Sequence, residues 1–252
     1  MVRLKTKHDI EMIAASGRIL AEVLEKISQK VQVGVSLNFL DDLTRHLIKE
    51  AGVKPAFLGY RPSSGHKPFP AALCLSLNEQ VVHGLPSSYQ LRSGDLLKID
   101  LGVDYQGYIS DAAITLGIGK ISPVAQKLTE VVKKSLEAAI REARPGKHLG
   151  DLGHAIETTV KKVGFSVIKG LTGHGVGFKL HEDPTILNYG NKGEGIALET
   201  GMVLAIEPMA CSGKDGIIQR PDDSYATADG SLAAHFEHTV AITENGPRIL
   251  TL

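Results

Sequence analysis

The chain has 252 residues, and its 28 Lys plus Arg are balanced by 28 Asp plus Glu, so the formal net charge is zero. That balance excludes a general nucleic-acid or anionic-membrane binder, which needs a basic surplus. Hydrophobic residues at 42% and charged residues at 22% describe a globular chain rather than a disordered one. No run approaches the roughly 18 apolar residues of a membrane span, and the start MVRLKTKHDIEMI lacks the apolar core of a signal peptide. Cys74 and Cys211 build neither a disulfide framework nor a CxxC zinc site. The expectation is one cytoplasmic domain over residues 1–252, with no DNA and no membrane as partner.

In chain order, Thr6 caps a first helix over about Lys7 to Gln32, with Ile10, Ile13, Leu20, Val23, Leu24 and Ile27 at helical spacing. Ser36 opens a second helix that Gly52 ends. β-rich runs follow at Ala72–Leu77, Leu96–Val103 and Tyr108–Ile118. Ser122-Pro123 starts a third helix, with the hydroxyl at the cap and proline in the first turn, and Pro145-Gly146 closes it. A fourth covers about Leu149 to Val163, and two more β-rich runs lie at Val203–Met209 and Phe236–Ile242. Segments 59–70, 183–195 and 211–231 read as loops. The pattern is that of an α+β domain.

An offset of 112 positions superposes the two helix pairs: Leu24 meets Leu136, Gly34 meets Gly146, Leu37 meets Leu149 and Gly52 meets Gly164. With unequal loops the match continues, His83-Gly84 against His174-Gly175, Leu96–Asp100 against Val203–Glu207, and Asp111 against Glu237. Each half then supplies one histidine and two carboxylates in the same order, as a duplication about a twofold axis requires.

Asp100 and Asp111 sit in apolar runs on either side of Asp104-Tyr105-Gln106-Gly107, which reads as a four-residue turn. A hairpin centred there pairs Asp100 directly with Asp111, and like charges so placed repel. A shared proton, a Lys or Arg, or a metal must neutralise them. Glu207 in VLAIEPM and Glu237 in HFEHTVAI pose the same problem, because a carboxylate inside such a strand needs a partner. One or two divalent cations satisfy all four acids, and His174, in GHGVG, adds a nitrogen that favours transition metals. Such a centre activates water and stabilises an oxyanion, which is hydrolase chemistry. On this argument alone a phosphatase stays open.

In their contexts IDLG, SDAA, GHGVG, IEPM and FEHT, Asp100, Asp111, His174, Glu207 and Glu237 resemble the methionine aminopeptidase family, over nearly the whole chain. The resemblance implies the pita-bread fold, a pseudo-twofold antiparallel sheet with two helix pairs on one face. It implies two divalent ions (Co, Mn, Fe or Zn), with Asp100 on one, His174 and Glu207 on the other, and Asp111 and Glu237 bridging. His83 in VVHGLP and His181 in KLHEDP match the family's two non-ligand catalytic histidines, and the resemblance implies that both would face substrate and that Glu207 would be catalytic as well as ligating. Glu207 follows His181 by only 26 positions, which is similar to the type I, minimal bacterial form. Tyr60, Phe69, Cys74 and Leu180, with Phe57, are the expected methionine pocket. Relatives often carry a tryptophan on the loop before the last glutamate; this chain has none, Tyr225 lies nearby as its substitute, and Arg61–Pro70 is a longer loop than usual. The partner implied is the N-terminal Met of peptides and nascent chains, taken by a monomer, with ribosome contact left open. Two alternatives remain: a prolidase relative, which normally adds an N-terminal domain, and a catalytically dead homologue acting as a binding protein.

Overall fold

The computed structural model describes residues 2–61 and 67–252. Helix α1 (Lys7–Ser28) starts at a reciprocal box in which Thr6 accepts from the Asp9 amide and Asp9 accepts from the Thr6 amide. It ends short of Gln32, because the amides of Lys30 and Val31 turn back to carbonyls three residues earlier. Helix α2 (Leu37–Glu50) is capped by Ser36. Strands β1 (Lys54–Pro55), β2 (Cys74–Leu77), β3 (Gln80–Val82), β4 (Leu96–Tyr105) and β5 (Tyr108–Gly117) complete the first half. The second half repeats the plan with α3 (Pro123–Glu142), capped by Ser122, and α4 (Leu149–Lys161). Its strands are β6 (Ser166–Val167), β7 (Thr172–Gly175), β8 (Glu182–Leu187), β9 (Val203–Ile206), β10 (Met209–Cys211), β11 (Ile217–Gln219), β12 (Tyr225–Thr227), β13 (Ala233–His235), β14 (Glu237–Thr243) and β15 (Gly246–Ile249).

Nine strands form one antiparallel sheet in the order β1-β4-β5-β14-β9-β7-β8, with β2 added to β4 and β15 to β14. Outward from the β5–β14 seam, β4 is answered by β9 and β2 by β7. That is the pseudo-twofold order the offset repeat requires. The pleat then sorts side chains between two faces. Leu97, Ile99, Leu101 and Val103 of β4 pack under Leu20, Leu24, Leu40 and Ile48 of α1 and α2. Leu204, Ile206, Val240 and Ile242 do the same under Leu128, Val132, Leu152 and Ile156 of α3 and α4. Asp100 lies on the opposite face. This is the pita-bread arrangement, two helix pairs on one face of a curled sheet.

The hairpin register differs from the expectation. Tyr105 faces Tyr108, so the connection is the two residues Gln106 and Gly107, both with left-handed backbone at φ 56° and 84°. The turn sits one residue further along the chain than expected, which moves the pairing by two positions: Asp100 faces Ala113 and Asp111 faces Gly102. A shift of two preserves the face, so the two aspartates are diagonal neighbours rather than a direct pair.

The expected strand Val203–Met209 is broken in two. Pro208 has no amide to give the ladder, so the chain leaves the large sheet after β9 and re-pairs as β10 with β13 and β6. Its neighbour breaks at the same level, at Phe236 between β13 and β14. The register is common to both sides of the break, His238 facing Ile206 and His235 facing Met209, which sets Glu237 opposite Glu207. Segments 183–195 and 211–231 also differ from the loops expected, since they carry most of β8 and all of β11 and β12. No helix among the described residues is long and apolar enough to cross a membrane.

Candidate metal centre and active site

The register explains why the acids converge. Asp100, Asp111 and Glu237 share one face of three neighbouring strands, opposite the side chains that pack into the helix-pair cores. Glu207 follows β9 at the parity of Ala205, and Ala205 faces both Thr239 and His174. Where β5 meets β14, the Thr239 hydroxyl accepts from the Asp111 amide at 2.9 Å and donates to its carbonyl at 2.8 Å. His174 enters between Gly173 and Gly175, and the latter admits the Asp183 carbonyl where a Cβ would lie only 2.1 Å away. The His174 Nδ1 hydrogen bonds to the Gly175 carbonyl at 2.9 Å, which leaves Nε2 pointing at Glu207 Oε1 (3.5 Å) and Asp111 Oδ2 (3.9 Å).

All four carboxylates are buried. Burial pushes Asp100 up to about 7. It drives Asp111, Glu207 and Glu237 well above the carboxylate range, and neighbouring carboxylates add to the rise. Asp100 Oδ1, Asp111 Oδ1 and Glu237 Oε1 have no hydrogen-bond partner. Burial lowers His174 to about 4, so its imidazole is neutral and its lone pair available. Ligating atoms of Asp111, His174 and Glu237 lie within 4.8 Å of one another, and so do those of Glu207, His235 and Glu237. Orphaned carboxylate oxygens around neutral imidazoles are the donor set of a divalent transition-metal centre. The residues fit the ions that the resemblance implies.

These groups line one cavity of about 1160 Å³, which Tyr60, Phe69, Cys74, His83, Leu180, His181 and Tyr225 also line. Phe57, Cys74 and Leu180 form a buried apolar cluster beside the carboxylates, with Tyr60 and Phe69 packed on it. Of the segment Arg61–Pro70, positions 62–66 lie outside the described residues. His83 opens into the cleft with left-handed backbone at φ 60°, and its ring lies against Tyr225 at 5.8 Å. Gly84 locks that conformation to β2, donating to Ser76 Oγ at 3.0 Å and accepting from the Leu75 amide at 2.8 Å. His83 is not the sheet equivalent of His174: Ser76 faces Lys98 as His174 faces Ala205. The sequence match between the two histidines comes from loops of unequal length.

His181 projects from a loop that Glu182 holds by accepting from the amides of Phe178 (2.7 Å) and Lys179 (2.8 Å). The second Glu182 oxygen pairs with buried Lys5 at 2.6 Å. The His181 ring packs edge-on to His174 at 4.3 Å, and its Nδ1 lies 2.5 Å from the Tyr60 hydroxyl. Surrounding protein lowers the pKa of His83 and His181, and for His181 the neighbouring His174 and His83 lower it further. His235 was missed in the sequence, although its signal was present: in a strand, two residues before Glu237 means the same face. Lys5, Glu182 and Thr239 gave no signal, because the partners that matter, Glu182 to Lys5 and Asp111 to Thr239, are far along the chain.

The profile of metallopeptidase family M24 matches residues 11–244. The chain is 46% identical to a methionine aminopeptidase of Aquifex aeolicus, over 99% of this chain and 98% of that one. It is 42% identical to methionine aminopeptidase 1 of Bacillus subtilis, over 100% and 99%. A crystal structure of a methionine aminopeptidase from Thermotoga maritima superposes with a TM-score of 0.95 at 43% identity, covering 100% of this chain and 99% of that one. A prolidase from Pyrococcus furiosus matches with a TM-score of 0.79 at 26% identity, and this chain covers 65% of its length. The chain belongs to metallopeptidase family M24. Within that family of hydrolases, its full-length likeness is to the methionine aminopeptidases.

Proposed function

We propose that the protein removes the N-terminal methionine of peptides and nascent chains when the second residue is small, using two divalent ions. The observation that carries this reading is the junction of four buried carboxylates and His174 with the apolar cluster of Phe57, Cys74 and Leu180 in one cavity. Asp100 would hold one ion, His174 and Glu207 the other, with Asp111 and Glu237 shared between them. When bound, such ions lower the pKa of a water and polarise the scissile carbonyl.

The remaining work falls to the chain's own groups. The unbranched thioether of methionine suits the cluster of Phe57, Tyr60, Phe69, Cys74 and Leu180, which excludes water from the first side chain. The strained His83 backbone, at a cost of roughly 1–2 kcal/mol, presents the ring to the cleft. From there it donates a hydrogen bond to the scissile amide or accepts its proton. His181, held by Tyr60 and the Glu182 loop, hydrogen bonds to the carbonyl oxygen as negative charge develops. Glu207 accepts the proton of the attacking water and returns one to the departing amine.

The test is product analysis of the metal-reconstituted protein with Met-Ala-Ser, Met-Leu-Ser and X-Pro peptides. Release of Met from Met-Ala-Ser alone is expected; cleavage of X-Pro without Met release transfers the chain to the prolidase branch.

A further inference from the structure

His235 is 1% exposed, and neither of its ring nitrogens has a hydrogen-bond partner. A buried imidazole without a partner is costly, so its surroundings identify what it serves. Its Nε2 lies 3.5 Å from Glu207 Oε2 and 3.7 Å from Glu237 Oε2. Those spacings are a few tenths of an ångström beyond a formed hydrogen bond. The Glu207 carboxylate is thus shared between two imidazoles, Oε1 beside His174 and Oε2 beside His235.

The main chain of His235 is held as firmly as that of Asp111, by the same device from the opposite strand. The Thr115 hydroxyl accepts from the His235 amide at 3.0 Å and donates to its carbonyl at 2.6 Å. Thr239 does both for Asp111. On the far side, His235 faces Met209 across the β10–β13 pair. The ring is therefore aimed by two strands at once.

Which nitrogen carries the proton follows from the neighbours. Nδ1 meets no acceptor, so a proton there would be a buried orphan donor, whereas a bare lone pair is cheaper. Nε2 faces two carboxylate oxygens. His174 has the opposite arrangement: its Nδ1 is engaged by the Gly175 carbonyl, which frees the Nε2 lone pair for a metal.

We propose that His235 is a positioning residue of the metal centre, donating its Nε2–H to Glu207 Oε2 with Glu237 Oε2 as the neighbouring acceptor. The inference rests on the metallopeptidase reading of the site and deepens it. The donor occupies one oxygen of Glu207 and turns the other, Oε1, toward the site that His174 shares. It also offsets charge on two carboxylates that face each other.

The experiment is Co(II) titration of the chelator-treated protein by calorimetry, with the Co(II) absorption spectrum, on wild type, His235→Gln and His235→Leu. Glutamine restores an N–H donor at the same position, and leucine fills the space without one. His235→Leu is expected to bind Co(II) about 10- to 100-fold more weakly, and His235→Gln to recover most of the loss with an unchanged spectrum. Metal-free thermal unfolding shows that both variants fold. Wild-type affinity in His235→Leu would make the ring mere packing and overturn the inference. Equal losses in both variants, with a shifted spectrum in His235→Gln, would make His235 a direct ligand and overturn the donor role. Wild type failing to bind Co(II) would instead sink the metallopeptidase reading itself.

Discussion

Removing the charge of Asp100 is expected to stabilise the metal-free protein while abolishing its ability to hold metal. Asp100 titrates at 3.8 when unperturbed and near 7 in the fold, because it is buried. A carboxyl whose folded pKa is raised contributes stability that is complete below the unfolded value and is lost as pH climbs through the folded one. A shift of roughly three units at about 1.4 kcal/mol each gives a loss of about 4 kcal/mol between pH 4 and pH 7.5. That figure is an upper bound, since Asp111, Glu207 and Glu237 compete for the same protons. Asp100→Asn carries no such charge. In the presence of a chelator it should match wild type near pH 4 and exceed it by up to about 4 kcal/mol at pH 7.5. Mn(II) at about one hundred times its dissociation constant should return about 2.7 kcal/mol to wild type and little to the variant. Urea unfolding at three pH values, with and without chelator, measures every term. If the difference between the two proteins does not grow with pH, or if the variant is the less stable at pH 7.5, burial does not penalise the Asp100 charge and the reasoning fails.

His83→Ala should leave metal content intact and lower kcat by about 10²- to 10⁴-fold, whereas His174→Ala should lose metal and activity together; metal analysis beside kinetics separates them, and metal loss in His83→Ala would void its catalytic role. Leu180→Phe narrows the apolar wall beside Phe57 and Cys74, so it should raise KM for Met-Ala-Ser with metal content unchanged; an unaltered KM would remove Leu180 from the pocket. Lys5→Met leaves Glu182 without its buried partner. It should cost about 3 kcal/mol in unfolding free energy and lower kcat through the loop that carries His181; full activity at reduced stability would separate that loop from catalysis.

Local chemistry made much of this protein legible from its sequence. The caps at Thr6, Ser36 and Ser122 and the glycine stops are short-range, so helix starts were readable even where the ends of α1 and α4 overran. The hairpin reading placed Asp100 and Asp111 on one face, and acids in apolar runs announced that something must neutralise them. The resemblance in five short motifs identified the family. Tertiary structure decided what depends on partners far along the chain. The hairpin register turned on two left-handed residues, Gln106 and Gly107, and a turn expected one residue earlier misaligned the pairing by two positions. Pro208 split a strand that hydropathy ran together, and the register common to both sides of the break sets Glu207 opposite Glu237. Lys5 and Thr115 carry no mark in the sequence beyond their polarity, and His235 carries only its place two residues before Glu237. What they contribute exists only once β10 lies beside β13, the N-terminal segment reaches Glu182, and β5 meets β14. Spacing along a strand determines which face a side chain shares; only the packed sheet determines whom it meets there.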